Sequence, residues 1–281
     1  MEKKTVLGTG ATDGIGKETA LHLARKHEKV LIHGRNRGKG LQVLAQIKSE
    51  TRKENAALYV ADFSSLADVK RMAEDIKREQ SELHVLVNNA GNFYKERMIS
   101  ADGFEMTLAV NHLAPFLLTL LLLDLIKQSA PARIVNVSSS AHKSIRDVDL
   151  DYLQSENGYD PFTTYGISKL GNVLFTKTLA EKLIGTEVTV NSLHPGVVAT
   201  KLLRKSYNLA GISPAEGAQT SIFLTSSPGV KGVSGKHFQN LQERNTSVIA
   251  EDKDLQATFC KISMEMVNNF LDKKPARRRV N

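Results

Sequence analysis

The feature that most constrains the fold is the alternation of short, apolar, β-branched runs with longer segments of helical periodicity. Six runs are predicted to be strands: Thr5–Leu7, Val30–Ile32, Ala57–Val60, Val85–Asn88, Arg133–Ser138 and Val188–Leu193. Runs that are apolar throughout are typical of strands buried on both faces. Strands that alternate with helices form β-α-β units. The sequence therefore predicts an α/β fold, a doubly wound parallel sheet with helices on both faces.

Segments with helical spacing separate these strands and continue beyond the last one. Between the strands they are Ile15–Lys26, Gly40–Arg52, Leu66–Glu79, Gly103–Gln128 and Thr163–Leu183. Beyond the last strand we expect a helix from Pro214, a short strand over Gly235–Gln239 and a helix over Asp252–Phe270. No linker divides the series, and 281 residues suffice for one well-buried core. We therefore predict one domain over residues 1–272 and a basic, disordered tail over 273–281.

Composition and charge exclude several classes of function. The net charge is +8, but basic residues alternate with acids through the body of the chain, so the concentrated basic face that binds nucleic acid is missing there, and the one basic block is the tail Lys273 to Arg279. The single cysteine, Cys260, permits no internal disulfide and indicates no zinc site. The apolar run Phe116–Ile126 is shorter than a membrane span and contains Asp124, so it is predicted to be a buried helix. No signal peptide precedes the first strand, and we expect a cytoplasmic protein without an integral membrane segment.

A glycine-rich turn, GTGATDGIG, follows the first predicted strand over residues 8–16. Counted from Gly8, the usual G-x-G-x-x-G pattern fails, because its third glycine falls on Asp13. Counted from Gly10, the spacing is G-x-x-x-G-x-G, which also supplies a tight turn, a bare backbone and close helix packing. The helix that follows would offer free N–H groups to a pyrophosphate. A purely structural turn between strand and helix is the alternative.

Polar residues also follow the next three strands, at the edge of the sheet where such folds bind ligands. After the second strand come Arg35, Arg37 and Lys39 without a carboxylate, which favours a nucleotide that carries a 2′-phosphate. Solvated surface charge explains the same residues. After the third strand, Asp62 could accept from an adenine amino group, although capping of the next helix also explains this stretch. After the fourth strand, residues 88–91 read NNAG, which suits close approach to a ligand or a plain turn.

Hydroxyl and amine side chains follow the fifth strand. Three serines, Ser138 to Ser140, lie at its end, and Tyr165 and Lys169 lie four residues apart on the next predicted helix. That spacing places the tyrosine and the lysine on one helix face, where they can act together. An exposed pair of this kind is common when it stands alone.

Together these segments resemble the short-chain dehydrogenase/reductase family. The matching residues are T-G-x-x-x-G-x-G over 9–16, NNAG over 88–91, Asn111, the serines of 138–140, Y-x-x-x-K over 165–169 and P-G-x-x-x-T over 195–200. They stand in the family's order. The stretches VNHLAPFLLT, RIVNVSSSAH, SKLGNVLFT and LHPGVVAT are most similar to the retinol dehydrogenase-type branch. The resemblance implies a single Rossmann-like domain, a nicotinamide cofactor and reversible carbonyl–alcohol chemistry.

The resemblance also implies roles for individual residues. Tyr165 would be the acid–base residue, and Lys169 would favour its phenolate, because a free tyrosine has a pKa of about 10. Ser139 aligns with the catalytic serine, and the serines on either side are register alternatives. Asn111 would shape its helix and anchor a proton-relay water. Predicted cofactor contacts, with NADP(H) favoured over NAD(H), are Gly10, Thr12, Asp13, Gly14, Ile15, Gly16, Arg35, Asn36, Asp62, Phe63, Asn89, Ala90, Gly91, Tyr165, Lys169, Pro195, Gly196, Val198 and Thr200.

Two segments and one residue bear on substrate and cofactor choice. The residues between Ser139 and Tyr165 resemble an insertion of the retinol dehydrogenase-type branch that would help to line the substrate mouth. The segment after Thr200 could act as a lid, with an apolar lining from Leu202, Leu203, Tyr207 and Leu209. Asp13 stands where many NADP-preferring relatives carry a basic residue. It would weaken 2′-phosphate binding unless it faces solvent or pairs with Arg35 or Arg37.

The substrate is expected to be a small-molecule, apolar carbonyl or alcohol, and the resemblance allows a homo-oligomer. Two rival interpretations stay open: a catalytically inactive, NADP(H)-sensing regulatory protein, and a sugar-nucleotide epimerase or dehydratase. His112, His142 and His194 lie beside motif residues, but their separation is not that of metal ligands. We therefore expect no metal and no catalytic role for these histidines.

Overall fold

The computed structural model describes residues 4–26, 28–156, 158–206 and 210–271, and an eight-stranded sheet forms its centre. The strands are β1 (Thr5–Gly8), β2 (Lys29–Gly34), β3 (Ala56–Val60), β4 (Val85–Asn88), β5 (Ala132–Val137), β6 (Val188–His194), β7 (His237–Gln239) and β8 (Gln242–Glu243). Their order is β3-β2-β1-β4-β5-β6-β7-β8, and all neighbours are parallel except β7 and β8. Because the order reverses between β1 and β4, the carboxyl ends of these two strands flank a crevice.

Helices pack on both faces of the sheet. They are α1 (Gly14–Arg25), α2 (Arg37–Thr51), α3 (Leu66–Glu79), α4 (Met106–Leu108), α5 (Ala114–Gln128), α6 (Pro161–Lys182), α7 (Lys201–Ser206), α8 (Pro214–Ser226) and α9 (Lys253–Val267). One layer contains α1, α2 and α8, and the other contains α3, α5, α6 and α9. Alternate strand residues serve the two layers, so that Val6 packs into the first and Leu7 into the second. The predicted doubly wound α/β fold in a single domain is confirmed.

The boundaries of several elements differ from the predicted ones for local reasons. The first six predicted strands are confirmed to within two residues, whereas β8 was not predicted. The helix predicted from Gly103 begins at Met106, because Gly103 has a φ of +86° in a turn and the Glu105 carboxylate caps the first helical N–H groups. The helix predicted from Gly40 begins at Arg37, where the Asn36 side chain caps it. The predicted tail over 273–281 lies outside the described residues.

The apolar run belongs to a longer helical segment than the sequence indicated. A π-helical turn, Ala109–Leu113, joins α4 to α5, so that Met106–Gln128 is continuously helical. The helix has 23 residues, and its most apolar window has a mean hydropathy of 1.8, so by length and composition it would suffice to cross a membrane. The length argument made for the shorter run therefore does not hold for the whole helix. Within the molecule, however, 89% of its most apolar window is buried, as expected for a core helix. Burial, rather than length, supports the predicted role.

Candidate active site

Two adjoining cavities lie beyond the carboxyl ends of the strands, where the sequence predicted a ligand site. The first, which we call the turn cleft, has a volume of about 350 Å³ and is lined by the glycine turn, the ends of β2 and β3, and residues 89–92. The second, the serine–tyrosine pocket, has a volume of about 340 Å³ and is lined by residues 137–141, Tyr165, Lys169 and residues 194–198. Both cavities are lined by Ile15, Asn89, Gly91, Thr200 and Leu202. One extended ligand can therefore occupy both.

The glycine turn has the backbone that the register from Gly10 requires. Gly10 and Gly14 have φ angles of +61° and +53°, which favour glycine. A side chain at Gly16 would stand 2.4 Å from the Gly10 carbonyl oxygen, so the third glycine allows α1 to approach the turn. Gly8 is the last residue of β1, which explains why a count from Gly8 fails.

A buried histidine that the sequence did not indicate supports the turn. His33 Nε2 lies 3.0 Å from the Ala61 carbonyl oxygen, and its Nδ1 accepts from the Gly10 N–H at 3.3 Å. Since a carbonyl oxygen only accepts, the proton resides on Nε2. The ring stacks on Phe63 with centroids 4.1 Å apart, and burial lowers the pKa of His33 to about 4. Neutral His33 therefore joins β2, β3 and the turn.

Asp13 caps α1 and pairs with lysines. Its carboxylate accepts from the Gly14 N–H at 2.9 Å, forms a short ion pair with Lys201, and lies 3.6 Å from the Lys39 ammonium. The Lys201 ammonium, as hydrogen-bond donor and nearby charge, lowers the pKa of Asp13. Asp13 is exposed to solvent, which is one of the two alternatives considered from the sequence, but its partners are Lys201 of α7 and Lys39 of α2 rather than Arg35 or Arg37.

The residues after β2 and β3, which were predicted to contact the adenosine part of the cofactor, divide into two groups. Arg35, Asp62 and Phe63 line the turn cleft, and the Arg35 side chain is exposed there. Asn36 lines neither cavity, since its side chain accepts from the Lys39 N–H and caps α2. The Asp62 carboxylate also accepts from the Ser64 N–H at 2.9 Å, so one of its hydrogen-bond acceptor sites stabilises the loop after β3.

Thr9, which belongs to the first motif, connects the NNAG segment to the glycine turn through hydrogen bonds. Its hydroxyl accepts from the Asn89 N–H at 2.9 Å and the Ala90 N–H at 3.0 Å, and it donates to the Val87 carbonyl oxygen. The Asn89 side-chain amide donates to the Thr9 carbonyl oxygen at 2.9 Å. These contacts hold in place the NNAG segment, which lines both cavities.

The three serines after β5 have different environments. The Ser138 hydroxyl is buried and donates to the Lys169 carbonyl oxygen at 2.7 Å. Ser139 is half-buried, lines the serine–tyrosine pocket beside Tyr165, and accepts from the Ala141 N–H at 3.2 Å. Its hydroxyl hydrogen remains available to a ligand, because a hydroxyl that accepts can still donate. Ser140 is exposed and begins a 3₁₀ turn over Ser140–Ser144.

Tyr165 and Lys169 project from the same face of α6, as their spacing predicted. The Lys169 ammonium lies 5.7 Å from the centroid of the Tyr165 ring and donates to the Val137 carbonyl oxygen at 3.2 Å. Lys169 is 3% exposed, and burial lowers its pKa to about 8. The Phe93 ring meets the Tyr165 ring edge-on, with centroids 5.7 Å apart. A buried ammonium beside a phenol is an arrangement suited to proton transfer.

Asn111 lies behind the cavities and lines neither of them. It is fully buried in the π-helical turn, and its amide exchanges hydrogen bonds with the Asn92 backbone at 2.7 and 2.9 Å. The amide nitrogen also donates to the Ser168 hydroxyl, and the Asn111 carbonyl oxygen accepts from the Asn172 side chain at 3.0 Å. Asn111 thus supports the wall that carries Gly91. The partners Asn92, Ser168 and Asn172 were not predicted, because no local pattern marks them.

The stretch after β6 closes the far side of the site. Gly196 has a φ of +92°, and Thr200 approaches Gly14 so closely that a β-carbon there would lie 3.2 Å from its methyl group. Leu202 and Leu203 line the serine–tyrosine pocket, as predicted. Tyr207 and Leu209, the other predicted lining residues, lie outside the described residues.

A match to a protein family now bears on this geometry. The family model described as short chain dehydrogenase matches residues 4–209. The chain belongs to the short chain dehydrogenase family. It is 41% identical over 293 residues to retinol dehydrogenase 14 of Homo sapiens, and this alignment covers 95% of this chain and 87% of that protein. The predicted resemblance to the retinol dehydrogenase-type branch is therefore confirmed.

Solved structures are similar to this dehydrogenase along most of its length. An uncharacterized protein from Mycobacterium paratuberculosis superposes with a TM-score of 0.78 at 28% identity, over 94% of this chain and 93% of that one. A chain described as a short chain dehydrogenase from Escherichia coli CFT073, complexed with NADPH, has a TM-score of 0.70 at 25% identity, over 85% and 96%. Both agree with the Rossmann-like fold of the family.

The histidines beside the dehydrogenase motifs are buried. His112 lies between Asn172 and Ser263, whereas His142 and His194 lie near His237 beside the serine–tyrosine pocket. Burial lowers the pKa of all four. Within the described ranges, no group of three His, Cys, Asp or Glu side chains could hold a metal ion.

Proposed function

We propose that this short chain dehydrogenase transfers a hydride between NADP(H) and an apolar carbonyl or alcohol substrate. The observation that carries the proposal is the meeting of Ser139, Tyr165 and Lys169 in one pocket that adjoins the turn cleft. Apolar side chains on the same pocket wall support an apolar substrate; they are Phe162, Val197, Leu202 and Leu203. The NADPH complex of the E. coli relative supports the choice of cofactor.

The residues of the turn cleft fit a nicotinamide dinucleotide. The N-terminal turn of α1 carries N–H groups and the positive end of the helix dipole, which suit a pyrophosphate. A β-carbon on Gly91 would lie 3.2 Å from the Lys169 ammonium, so the bare backbone leaves room for a ligand beside that charge. Lys169 donates one N–H to the Val137 carbonyl oxygen, and its other N–H groups can donate to the hydroxyls of a ribose.

The side chains of the pocket would handle the proton. When bound, the cofactor supplies or accepts the hydride. In reduction, the Tyr165 hydroxyl donates its proton to the substrate oxygen, so that the carbonyl becomes an alcohol. The Ser139 hydroxyl donates a hydrogen bond to the same oxygen and stabilises its developing negative charge. The nearby Lys169 ammonium favours the phenolate that remains.

Replacement of Tyr165 tests the reaction. Tyr165→Phe removes the proton donor, so NADPH consumption with aldehydes, ketones and quinones of graded size should fall by about 10²- to 10⁴-fold. NADPH binding, followed by fluorescence, should change little. Tyr59→Phe is the matched control, because the Tyr59 hydroxyl contacts Glu79 and Gln80 outside both cavities. An active Tyr165→Phe enzyme would refute the mechanism. A parent protein that binds NADPH but turns over none of these compounds would favour the sensor.

Cofactor choice needs its own measurement. Arg35 is exposed at the turn cleft, and an arginine there suits a 2′-phosphate. Fluorescence titration should therefore give tighter binding of NADPH than of NADH, and Arg35→Leu should narrow the difference. Equal affinities of the parent protein for the two cofactors would contradict the proposed NADP(H) preference.

A cytoplasmic location and a homo-oligomer complete the proposal. The burial of the long apolar helix supports the location, and the family resemblance supports the oligomer. Recovery of the expressed protein in washed membranes would contradict the first statement. A monomeric mass by light scattering at micromolar concentration would contradict the second.

A further inference from the structure

Three charged side chains from separate parts of the chain meet at the rim of the turn cleft. Asp13 belongs to the glycine turn, Lys39 to the first turn of α2, and Lys201 to the first turn of α7. Both lysines pair with the same carboxylate oxygen of Asp13, and all three residues line the cleft. Lys201 lies 188 positions from Asp13 in sequence, so only the fold brings them together.

The Asp13 carboxylate has the surroundings that a bound phosphate would have. It accepts from the Gly14 N–H at the start of α1 and is flanked by two ammonium groups. Helix N-termini with nearby lysines are common anion sites. One carboxylate cannot neutralise two ammonium groups; along the same cleft Arg35 adds a positive charge and Asp62 a negative one, so three basic side chains face two carboxylates. The cleft therefore keeps an excess of positive charge.

The position of this cluster indicates which phosphate it would bind. A β-carbon on Gly34, the last residue of β2, would stand 2.4 Å from the Thr12 side chain, so the turn lies directly against the end of β2. In folds of this kind, the residues after the second strand contact the 2′ position of the adenosine ribose. Lys39 follows that strand closely. The cluster therefore lies where a 2′-phosphate would be bound.

We propose that Lys39 and Lys201 are specificity-determining residues that bind the 2′-phosphate of NADP(H), and that Asp13 competes with this phosphate for both ammonium groups. This inference rests on the proposed function, and it names residues that would give the enzyme its preference for NADP(H). In the free protein Asp13 holds the lysines at the cleft. When a 2′-phosphate binds, the ammonium groups exchange the carboxylate for the phosphate, and Asp13 remains as a repulsive neighbour.

Opposite effects of the two partners provide the test. Lys201→Met should weaken NADPH binding, measured by fluorescence titration, about five- to tenfold, and should change NADH binding less than twofold, because only NADPH carries the 2′-phosphate. Asp13→Asn should strengthen NADPH binding several-fold, since it removes the competing charge and keeps an acceptor for the Gly14 N–H. Raising the salt concentration should reduce the NADPH preference of the parent protein and of Asp13→Asn more than that of Lys201→Met.

A matched ion pair elsewhere supplies the control. Lys253 and Glu181 form a short pair whose side chains are 64% and 54% exposed, against 65% and 54% for Lys201 and Asp13. Lys253→Met should leave both cofactor affinities unchanged. Lys201→Arg should retain the NADPH preference, because it keeps the charge. Circular dichroism and the melting temperature check that each variant is folded, and Lys39→Met provides a second variant with the same expected loss.

The outcomes separate this proposal from the proposed function. If Lys201→Met and Asp13→Asn change NADPH affinity in the same direction, the ion pair only fastens α7 to the turn, and the proposal is wrong. If Lys201→Met weakens NADPH and NADH equally, the lysine contacts the pyrophosphate instead, and the proposal is also wrong. In either case a parent enzyme that prefers NADPH and depends on Tyr165 leaves the proposed function intact.

Discussion

The glycine register of the turn makes a sharp prediction, because its third glycine has no room for a side chain. A β-carbon on Gly16 would lie 2.4 Å from the Gly10 carbonyl oxygen and 2.4 Å from the Asn89 amide nitrogen. The Asn89 side chain can rotate, but the Gly10 carbonyl is main chain and is held by the turn. Gly16→Ala must therefore displace the start of α1 from the turn.

The cost of that displacement follows from the overlap. Non-bonded carbon atoms prefer separations of roughly 3.5–4.0 Å. The new β-carbon would lie 2.9 Å from the Gly10 carbonyl carbon, which is about 0.6–1 Å too close. Overpacking of this kind costs about 1–3 kcal/mol. For a protein of this size each kcal/mol lowers the melting temperature by about 2–4 °C, so we expect a fall of roughly 2–12 °C. Because the turn lines the cleft, NADPH affinity should fall at least about tenfold even though the protein stays folded.

Gly8→Ala is the control within the same loop. A β-carbon on Gly8 would lie 3.5 Å from the Ala11 β-carbon, which is an ordinary contact. Its melting temperature and NADPH affinity, measured by thermal denaturation and fluorescence titration, should stay close to those of the parent. The reasoning is refuted if Gly16→Ala binds NADPH normally, or if Gly8→Ala is impaired to the same extent.

Three further predictions concern the serines, the Asn111 network and acid stability. Ser139→Ala should lower kcat by about 10²- to 10³-fold at unchanged NADPH affinity, whereas Ser138→Ala should mainly lower the melting temperature, because it removes a buried hydrogen bond to the Lys169 carbonyl oxygen. Asn172→Leu should cost about 1–3 kcal/mol in urea unfolding, since the Asn111 carbonyl loses its donor. Histidines with lowered pKa values bind protons more readily when unfolded, so the free energy of unfolding should fall from about pH 6.5 towards pH 4, by up to about 1.4 kcal/mol per pH unit for each. The histidines concerned are His33, His112, His194 and His237. Urea titrations at pH 7, 6 and 5 would measure this fall, and an unchanged free energy of unfolding would contradict the prediction.

Most of the fold could be predicted because its signals are local. Each strand is a short run of β-branched residues, and each boundary depends on a few neighbours. The missed boundaries depend on finer geometry of the same kind, such as the positive φ of Gly103 before α4. The pairing of β8 with β7 was missed because Gln242–Glu243 is exposed and has no apolar pattern.

The candidate site was predictable only where a motif carries its own geometry. The four-residue spacing of Tyr165 and Lys169 fixes their common face, and the motif alone selected Ser139 from the three serines. The supports of these residues come from distant segments. His33 contacts the turn from β2, and Asn172 reaches the Asn111 carbonyl from α6. A periodic pattern cannot encode such contacts, because they depend on how the elements pack.

Asp13 illustrates the same limit at the level of charge. In the sequence it is an acid at a position where a base would favour NADP(H), and that position alone argues against a 2′-phosphate. In the fold, Lys39 and Lys201 surround it, so the local charge is set by three elements together. The electrostatic field at the cleft is a sum over all nearby charges, and its three basic side chains outnumber its two carboxylates. Cofactor preference in this chain should therefore follow the charge assembled by α2, α7 and the turn, and Asp13 should limit that preference without reversing it.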